Sequence, residues 1–269
     1  MRQPTFQDNW LPSWKSSYHY DLLEIYGVSD TLGYAYAYNN RKKHTLELLQ
    51  KAAKPGAKIL DVAAAQGNFT LLLAELGYEV TWNDLREDLI DYVKLKWESG
   101  LVHYASGNIF DLNYAGQFDV VLITEVIEHV AHPDDFLKSI AKMLKPDGHI
   151  VLSTPNGGYF KNNLPRFSDC TDPSQYEAIQ FQPNSDGHIF LLHLDEIEKL
   201  VNQAGLVIEE IRLATNPLTN GHIKLHHLLK ILPKSWVKNF EEFTCSMPLA
   251  WKQKLHTATV ALLAHPIQQ

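Results

Sequence analysis

Cysteine is scarce. The chain has two, Cys170 and Cys245, in unrelated contexts, which excludes both the dense, even spacing of a disulfide-stapled secreted scaffold and the paired spacing of a structural zinc motif. Basic runs are short, none longer than Arg41-Lys42-Lys43, and the formal net charge is -7. Nucleic-acid binders draw most of their affinity from a basic stripe that neutralises phosphates, so a nucleic-acid partner is disfavoured. Long apolar runs are missing too. No window approaches the ~18 uncharged apolar residues of a membrane span, and the opening MRQPTFQDNWLPSW is broken by prolines and polar residues where a signal peptide is continuously apolar. The expectation is a reduced, cytoplasmic protein without a membrane span. Repeats and low-complexity tracts are absent as well.

What is present suits a soluble enzyme-sized domain: 269 residues, 45% hydrophobic and 20% charged, enough to bury a large core. Short apolar runs alternate with helical patterns through the middle of the chain, which predicts βαβ units and a parallel sheet. Strands are expected at Lys58–Val62, Glu79–Trp82, His103–Ala105, Phe118–Ile123 and His149–Ser153, then at Val207–Ala214 and Thr257–Ala264. Helices are expected at Phe69–Leu76, Glu87–Trp97, Asp134–Leu144 and Asp195–Gln203, with Lys145–Gly148 as a turn. Three stretches stand outside the alternation: the aromatic residues 1–50, read as a helical lid, and insertions at 156–187 and 215–256 within the domain 51–269. Irregular segments of that length in a compact domain are usually functional covers or disordered, and their aromatic content favours a cover.

The first predicted strand runs into Asp61-Val62-Ala63-Ala64-Ala65-Gln66-Gly67. Small residues let the backbone approach a ligand, and the helix that follows aims free N–H groups at it. The second strand ends in Asp84, where a carboxylate can accept from two vicinal ribose hydroxyls. A glycine-poor turn alone is as well explained by helix–sheet packing. Turn, acidic strand end and regular αβ order together point to a nucleoside ligand.

With these segments, and with GNIFDL (107–112), FDVVLITEVIEHVAHPDDFL (118–137), LKPDGHIVLSTPN (144–156) and GHIFLLHLDEIEKLVNQAGL (187–206), the chain resembles the class I S-adenosylmethionine-dependent methyltransferases. More narrowly it resembles the ubiquinone-biosynthesis O-methyltransferase type and its small-molecule relatives. The resemblance implies a Rossmann-like α/β fold with a seven-stranded sheet whose last strand is antiparallel. It implies that Asp61 and the turn through Ala63, Ala65 and Gly67 hold the methionine end of the cofactor, and that Asp84 takes the ribose. It places Leu85, Asn108 and Ile109 about the adenine, Thr124 below the sulfonium and Arg41 at the cofactor carboxylate. The chain departs from the family in carrying Ala63 and Ala65 where glycines are usual, and Asn108 where aspartate is usual.

Transfer from a sulfonium is an in-line displacement that needs an aligned nucleophile, helped by a base when the acceptor is a hydroxyl. The candidates are Glu125, Glu128, His129 and His188. Glu125, Glu128 and His129 stand at i, i+3 and i+4, so a helical turn would put them on one face. The resemblance associates that arrangement with a divalent metal, but a role in capping the turn after the fourth strand is the preferred reading and no metal ligand is assigned. The expected function is methyl transfer to a small-molecule acceptor, planar or amphipathic, with oxygen the favoured atom. Two alternatives are a dehydrogenase on a related fold and a catalytically silent cofactor-binding partner subunit.

Overall fold

In the computed structural model, which describes residues 1–27, 32–180, 187–222 and 225–266, a seven-stranded sheet forms the centre of the molecule. Its strands are β1 (Lys58–Val62), β2 (Glu79–Asp84), β3 (Leu101–Ser106), β4 (Phe118–Thr124), β5 (Leu144–Pro155), β6 (Val207–Ala214) and β7 (Ala258–Ala264). Their order is β3-β2-β1-β4-β5-β7-β6. The first five run parallel, while β7 lies antiparallel between β5 and β6. The expected fold class, with its antiparallel last strand, is the one observed.

Alternation along the buried strands supplies two apolar faces. Leu60, Val62, Val121, Ile123, Ile150 and Leu152 face α5 (Pro133–Ala141) and α6 (Leu194–Gln203). Ile59, Val80, Val120, Leu122 and Val151 face α2 (Leu32–Ala52) and α3 (Asn68–Glu75). Helix α5 begins with Pro133, Asp134 and Asp135, a proline in the first turn followed by acids at the positive end of the helix dipole. In α6, His193 and Glu196 form a reciprocal cap, and Ile197, Leu200 and Val201 turn inward.

Lys145–Gly148, expected as a turn, is carried inside β5. The register with β4 jumps between Phe118 and Val120, so the surplus residues bulge from the ladder. The boundary expected at residue 50 falls inside α2, whose Leu48 and Leu49 are fully buried in the core. Helix α1 (Pro12–Glu24) lies near α4 (Leu89–Lys96), tied by an ion pair with no solvent exposure between Asp21 and Lys96, N···O 2.7 Å. Phe6, Trp10, Trp14 and Tyr18 form a ring cluster that extends to Tyr92 of α4, and Trp14 Nε1 donates to the Asp88 carbonyl. These aromatics pack on one another and on α4.

The insertion at 215–256 carries three helices among the described residues, α7 (His226–Leu229), α8 (Lys234–Cys245) and α9 (Leu249–Leu255), joined by turns. It leaves at the end of β6 and returns at the start of β7, where Ala214 pairs with Ala258 and Ala258 with Pro155. That places it at the edge where the parallel strands end. Parts of all three expected lid segments (28–31, 181–186 and 223–224, with Lys224) lie outside the described residues.

Candidate functional site

The strand order reverses between β1 and β4, and in open α/β sheets ligands bind beyond the carboxyl ends of the strands at such a switch. Here that place is the turn from β1 into α3. Ala63, Ala65 and Gly67 have φ of 52°, 47° and 72°, so three left-handed residues fall within five positions. Surrounding bonds hold them there. Ala64 N–H donates to Asn83 O at 2.8 Å, Gly67 N–H to Ala64 O at 2.8 Å, and Trp82 Nε1 to Ala65 O at 3.0 Å. The two alanines therefore adopt the backbone that glycine favours, at a cost of about 1–2 kcal/mol each. Gly67 is required for a different reason from the one the sequence suggests. A Cβ there would stand 2.8 and 3.0 Å from the Val93 methyl groups, so the missing side chain makes room for the core as well as permitting the turn.

Asp61, the penultimate residue of β1, has its carboxyl buried. Thr70 Oγ1 donates to Oδ2 at 2.6 Å, while Oδ1 has no partner. Burial lifts its pKa to about 7, opposed by the Thr70 hydrogen bonds. An orphaned buried acceptor beside a left-handed turn fits a cofactor that brings a cation or hydrogen-bond donors to this place.

At the end of β2, Asp84 is 4% exposed and already engaged. Its Oδ2 accepts from Ala65 N–H at 2.9 Å and Arg86 Nη2 at 3.1 Å, and its Oδ1 from Arg86 N–H at 2.9 Å and Nε at 3.0 Å. Leu85, next to it, is 53% exposed, an apolar surface open to a planar ring. Ile109, after β3, is buried. Asn108 caps a short 3-10 turn, its Oδ1 accepting from Phe110 N–H at 3.2 Å, which leaves its amide NH2 as the group able to face an adenine. Arg86 was missed because its engagement with Asp84 is a matter of side-chain conformation.

After β4 the chain does not make the helical face expected for Glu125, Glu128 and His129. Glu125 is left-handed, φ 55°, and Ile127–His129 is a 3-10 turn. Glu125 accepts from Ser153 Oγ at 3.0 Å and pairs with Arg41 Nη1 at 3.3 Å. The arrangement brings Arg41 to the end of β4, where Thr124 sits half-buried beside Ser153. Glu128 is fully buried, bonded by Thr154 Oγ1 at 3.1 Å and without a partner on Oε1. Burial, reinforced by the Glu125 charge, pushes its pKa well up. Glu128, His129 and His188 each offer one ligand atom within 4.8 Å of the others. At the end of β4, Glu128 and His129 are thus joined by His188, with Glu125 turned elsewhere. The rings of His129 and His188 meet edge to face at 4.9 Å. His129 Nδ1 lies 3.2 Å from Gly187 O; a carbonyl only accepts, so Nδ1 carries the proton and Nε2 of the neutral ring is left as a base.

A family model described as a methyltransferase domain matches residues 34–211. The ubiquinone biosynthesis O-methyltransferase of Xanthomonas axonopodis pathovar citri is 38% identical over 171 residues, covering 62% of this chain and 70% of that protein. The Mesorhizobium japonicum enzyme of the same name is 32% identical over 178 residues, 63% and 69% of the two chains. Among solved structures, an S-adenosylmethionine dependent methyltransferase from Mesorhizobium loti superposes with a TM-score of 0.56 at 14% identity, covering 83% and 96%. A Haloferax volcanii methyltransferase bound to its Trm112 activator gives 0.55 at 14%, covering 85% and 90%. Those two likenesses concern the fold. With two thirds of its length matched by the family model and its sheet in the family's order, the chain belongs to the methyltransferase-domain family and is an S-adenosylmethionine-dependent methyltransferase.

Proposed function

We propose that the chain methylates an oxygen of a small planar or amphipathic acceptor. The observation that carries this reading is a base-bearing cluster, Glu128, His129 and His188, at the end of β4, on the sheet edge that also holds the Ala63–Gly67 turn. S-adenosylmethionine, when bound, supplies an electrophilic methyl group. The residues around it have separable tasks. Asp61 and the backbone of Ala63, Ala65 and Gly67 receive the methionine end, and Arg41 its carboxylate. Asp84 receives the ribose hydroxyls in the two acceptor positions now taken by the Arg86 side chain, which swings aside, while Ala65 N–H and Arg86 N–H keep theirs. Leu85, Ile109 and the Asn108 amide enclose the adenine, and Thr124 forms the floor beneath the sulfur.

On the acceptor side, His129 Nε2 removes the hydroxyl proton while the bond to Gly187 fixes the ring. His188, packed against that ring, helps to set its angle. Glu125 acts by positioning Arg41. Metal binding by Glu128, His129 and His188 is not needed for this scheme. The segments 156–187 and 215–256, rooted near the same edge, shape the acceptor pocket and exclude water. The names of the two ubiquinone-biosynthesis relatives support oxygen as the acceptor atom. Among the described residues no helix is long and apolar enough to cross a membrane, and the free thiols of Cys170 and Cys245 suit a reducing cytoplasm.

The test is transfer of labelled methyl from S-adenosylmethionine to a panel of phenols and catechols, with protein and RNA as competing acceptors. Label is expected in the small-molecule fraction, and His129→Ala should lower kcat by roughly 10²–10⁴ with S-adenosylhomocysteine affinity unchanged. Label appearing only in protein or RNA refutes the acceptor class. Unaltered kcat in the variant removes His129 as the base.

A further inference from the structure

We propose that Glu24, at the end of α1, accepts the α-ammonium group of S-adenosylmethionine, which makes the N-terminal segment part of the cofactor site. The proposal rests on the assignment of the turn after β1 to the methionine end of the cofactor.

Glu24 is 8% exposed, yet each side chain that hydrogen-bonds its carboxylate is neutral. Oε2 accepts from Asn68 Nδ2 at 2.8 Å and Gln66 Nε2 at 3.2 Å, and Oε1 accepts from the Tyr34 hydroxyl at 2.7 Å. Gln66 and Asn68 flank Gly67, so the carboxylate is bonded directly to the turn that receives the methionine end. Among the described residues no ion pair reaches it, and the basic groups nearby are committed elsewhere. Lys96 Nζ is held by Asp21 at 2.7 Å and by Asn68 Oδ1 at 2.6 Å, and Arg41 pairs with Glu125.

A carboxylate offers about four lone-pair positions; three are occupied here, and the fourth is on Oε1. Burying such a charge without a cation is expensive, and burial raises the Glu24 pKa accordingly. An alkylammonium supplies the missing charge and a donor for the free position.

The network also fixes the orientation of the carboxylate. Because Lys96 donates to Asn68 Oδ1, the Asn68 amide must present its NH2 to Glu24, so the carboxylate is held in place by α3 and α4 before any ligand arrives. An amino-acid zwitterion needs one anionic and one cationic partner. Glu24 and Arg41 are such a pair, close enough for the Arg41 charge to act on Glu24 ionisation. The methionine end would thereby be clamped from both charged groups, and α1 would be ordered with the cofactor as well as with α4.

Three ligands separate this role from a structural one: S-adenosylhomocysteine, its deamino analogue with hydrogen in place of the ammonium, and 5′-methylthioadenosine, which lacks the amino-acid end. Calorimetry on the full chain should show that Glu24→Gln weakens S-adenosylhomocysteine at least tenfold while 5′-methylthioadenosine stays within about twofold. Wild type should bind the deamino analogue at least tenfold more weakly than S-adenosylhomocysteine, and the variant should bind the two alike. Glu24→Asp, which keeps the charge, should recover part of the loss.

Equal losses for S-adenosylhomocysteine and 5′-methylthioadenosine in Glu24→Gln, or no loss, overturn the proposal. So does a wild type that does not discriminate against the deamino analogue, a measurement that needs no variant to fold. If wild type binds 5′-methylthioadenosine and both longer ligands with the same affinity, Glu24 is refuted and the nucleoside site stands. If it binds none of the three, the cofactor assignment fails and Glu24 fails with it.

Discussion

Replacing Ala63 and Ala65 by glycine should stabilise the protein, against the usual direction of such changes. At φ 52° and 47° each alanine bears the left-handed penalty of an L-residue, about 1–2 kcal/mol. Glycine removes that penalty but gives the unfolded chain more freedom, a loss of roughly 0.4–1 kcal/mol. Little burial is surrendered, since Ala63 is exposed and Ala65 half-exposed, and the bonds at Ala65 N–H and O are backbone bonds that survive the change. The net gain is about 0.5–1 kcal/mol per site, which for a chain of this size raises Tm by roughly 1–4 °C. Ala63→Gly is the cleaner variant because its methyl touches least. Differential scanning calorimetry of the two single variants and the double variant checks the sum; sites so close need not add. A Tm unchanged or lowered in Ala63→Gly would show that the left-handed backbone is not the controlling term, and the reasoning would fail.

Stability without cofactor should depend on pH through Asp61. Its carboxyl, lifted by burial from 3.8 to about 7, is protonated in the fold between those values and ionised in the unfolded chain. Its contribution is therefore fully present below pH 4 and lost as pH rises through about 7, to an upper bound of roughly 4 kcal/mol. Asp61→Asn should flatten that part of the Tm–pH curve, and an unchanged slope assigns it to other groups. Gly67→Ala should cost about 2–4 kcal/mol in urea unfolding from the left-handed backbone and the Val93 contact together; a cost below 1 kcal/mol would mean that Val93 moves aside easily. Lys96→Met should cost about 3–5 kcal/mol by leaving the Asp21 carboxylate buried without its cation, and a neutral result in the same assay would show that Asp21 takes up a proton instead.

What the sequence made legible follows from how local each signal is. Strand β1 matches residue for residue because KILDV is a buried central strand with no competing pattern. Strand β3 is longer than expected because it is the sheet edge: its Leu101 and His103 lie toward solvent and the apolar run is diluted. Proline and glycine in Lys145–Gly148 imitate a turn, and only pairing with β4 turns those residues into a bulge. The ends of β1, β2 and β4 are visible in sequence because a chemical residue stands at or next to each strand end, Asp61 one position before the end of β1, Asp84 and Thr124 as the last residues of β2 and β4. Glu24 was not visible, for nothing in PSWKSSYHYDLLE distinguishes it from a solvated glutamate until α1 is laid against Gln66 and Asn68. Nor was the exchange of Glu125 for His188 beside Glu128 and His129, which depends on a left-handed residue and a segment almost sixty positions later.

The central claim is that S-adenosylmethionine occupies the ends of β1, β2 and β4. A crystal structure of the chain saturated with S-adenosylhomocysteine measures this directly. The ribose hydroxyls should lie about 2.7–3.2 Å from the Asp84 carboxylate, with the adenine between Leu85 and Ile109 and the amino-acid end over Ala63–Gly67. Density for the ligand anywhere else, or a ribose turned away from Asp84, would contradict it.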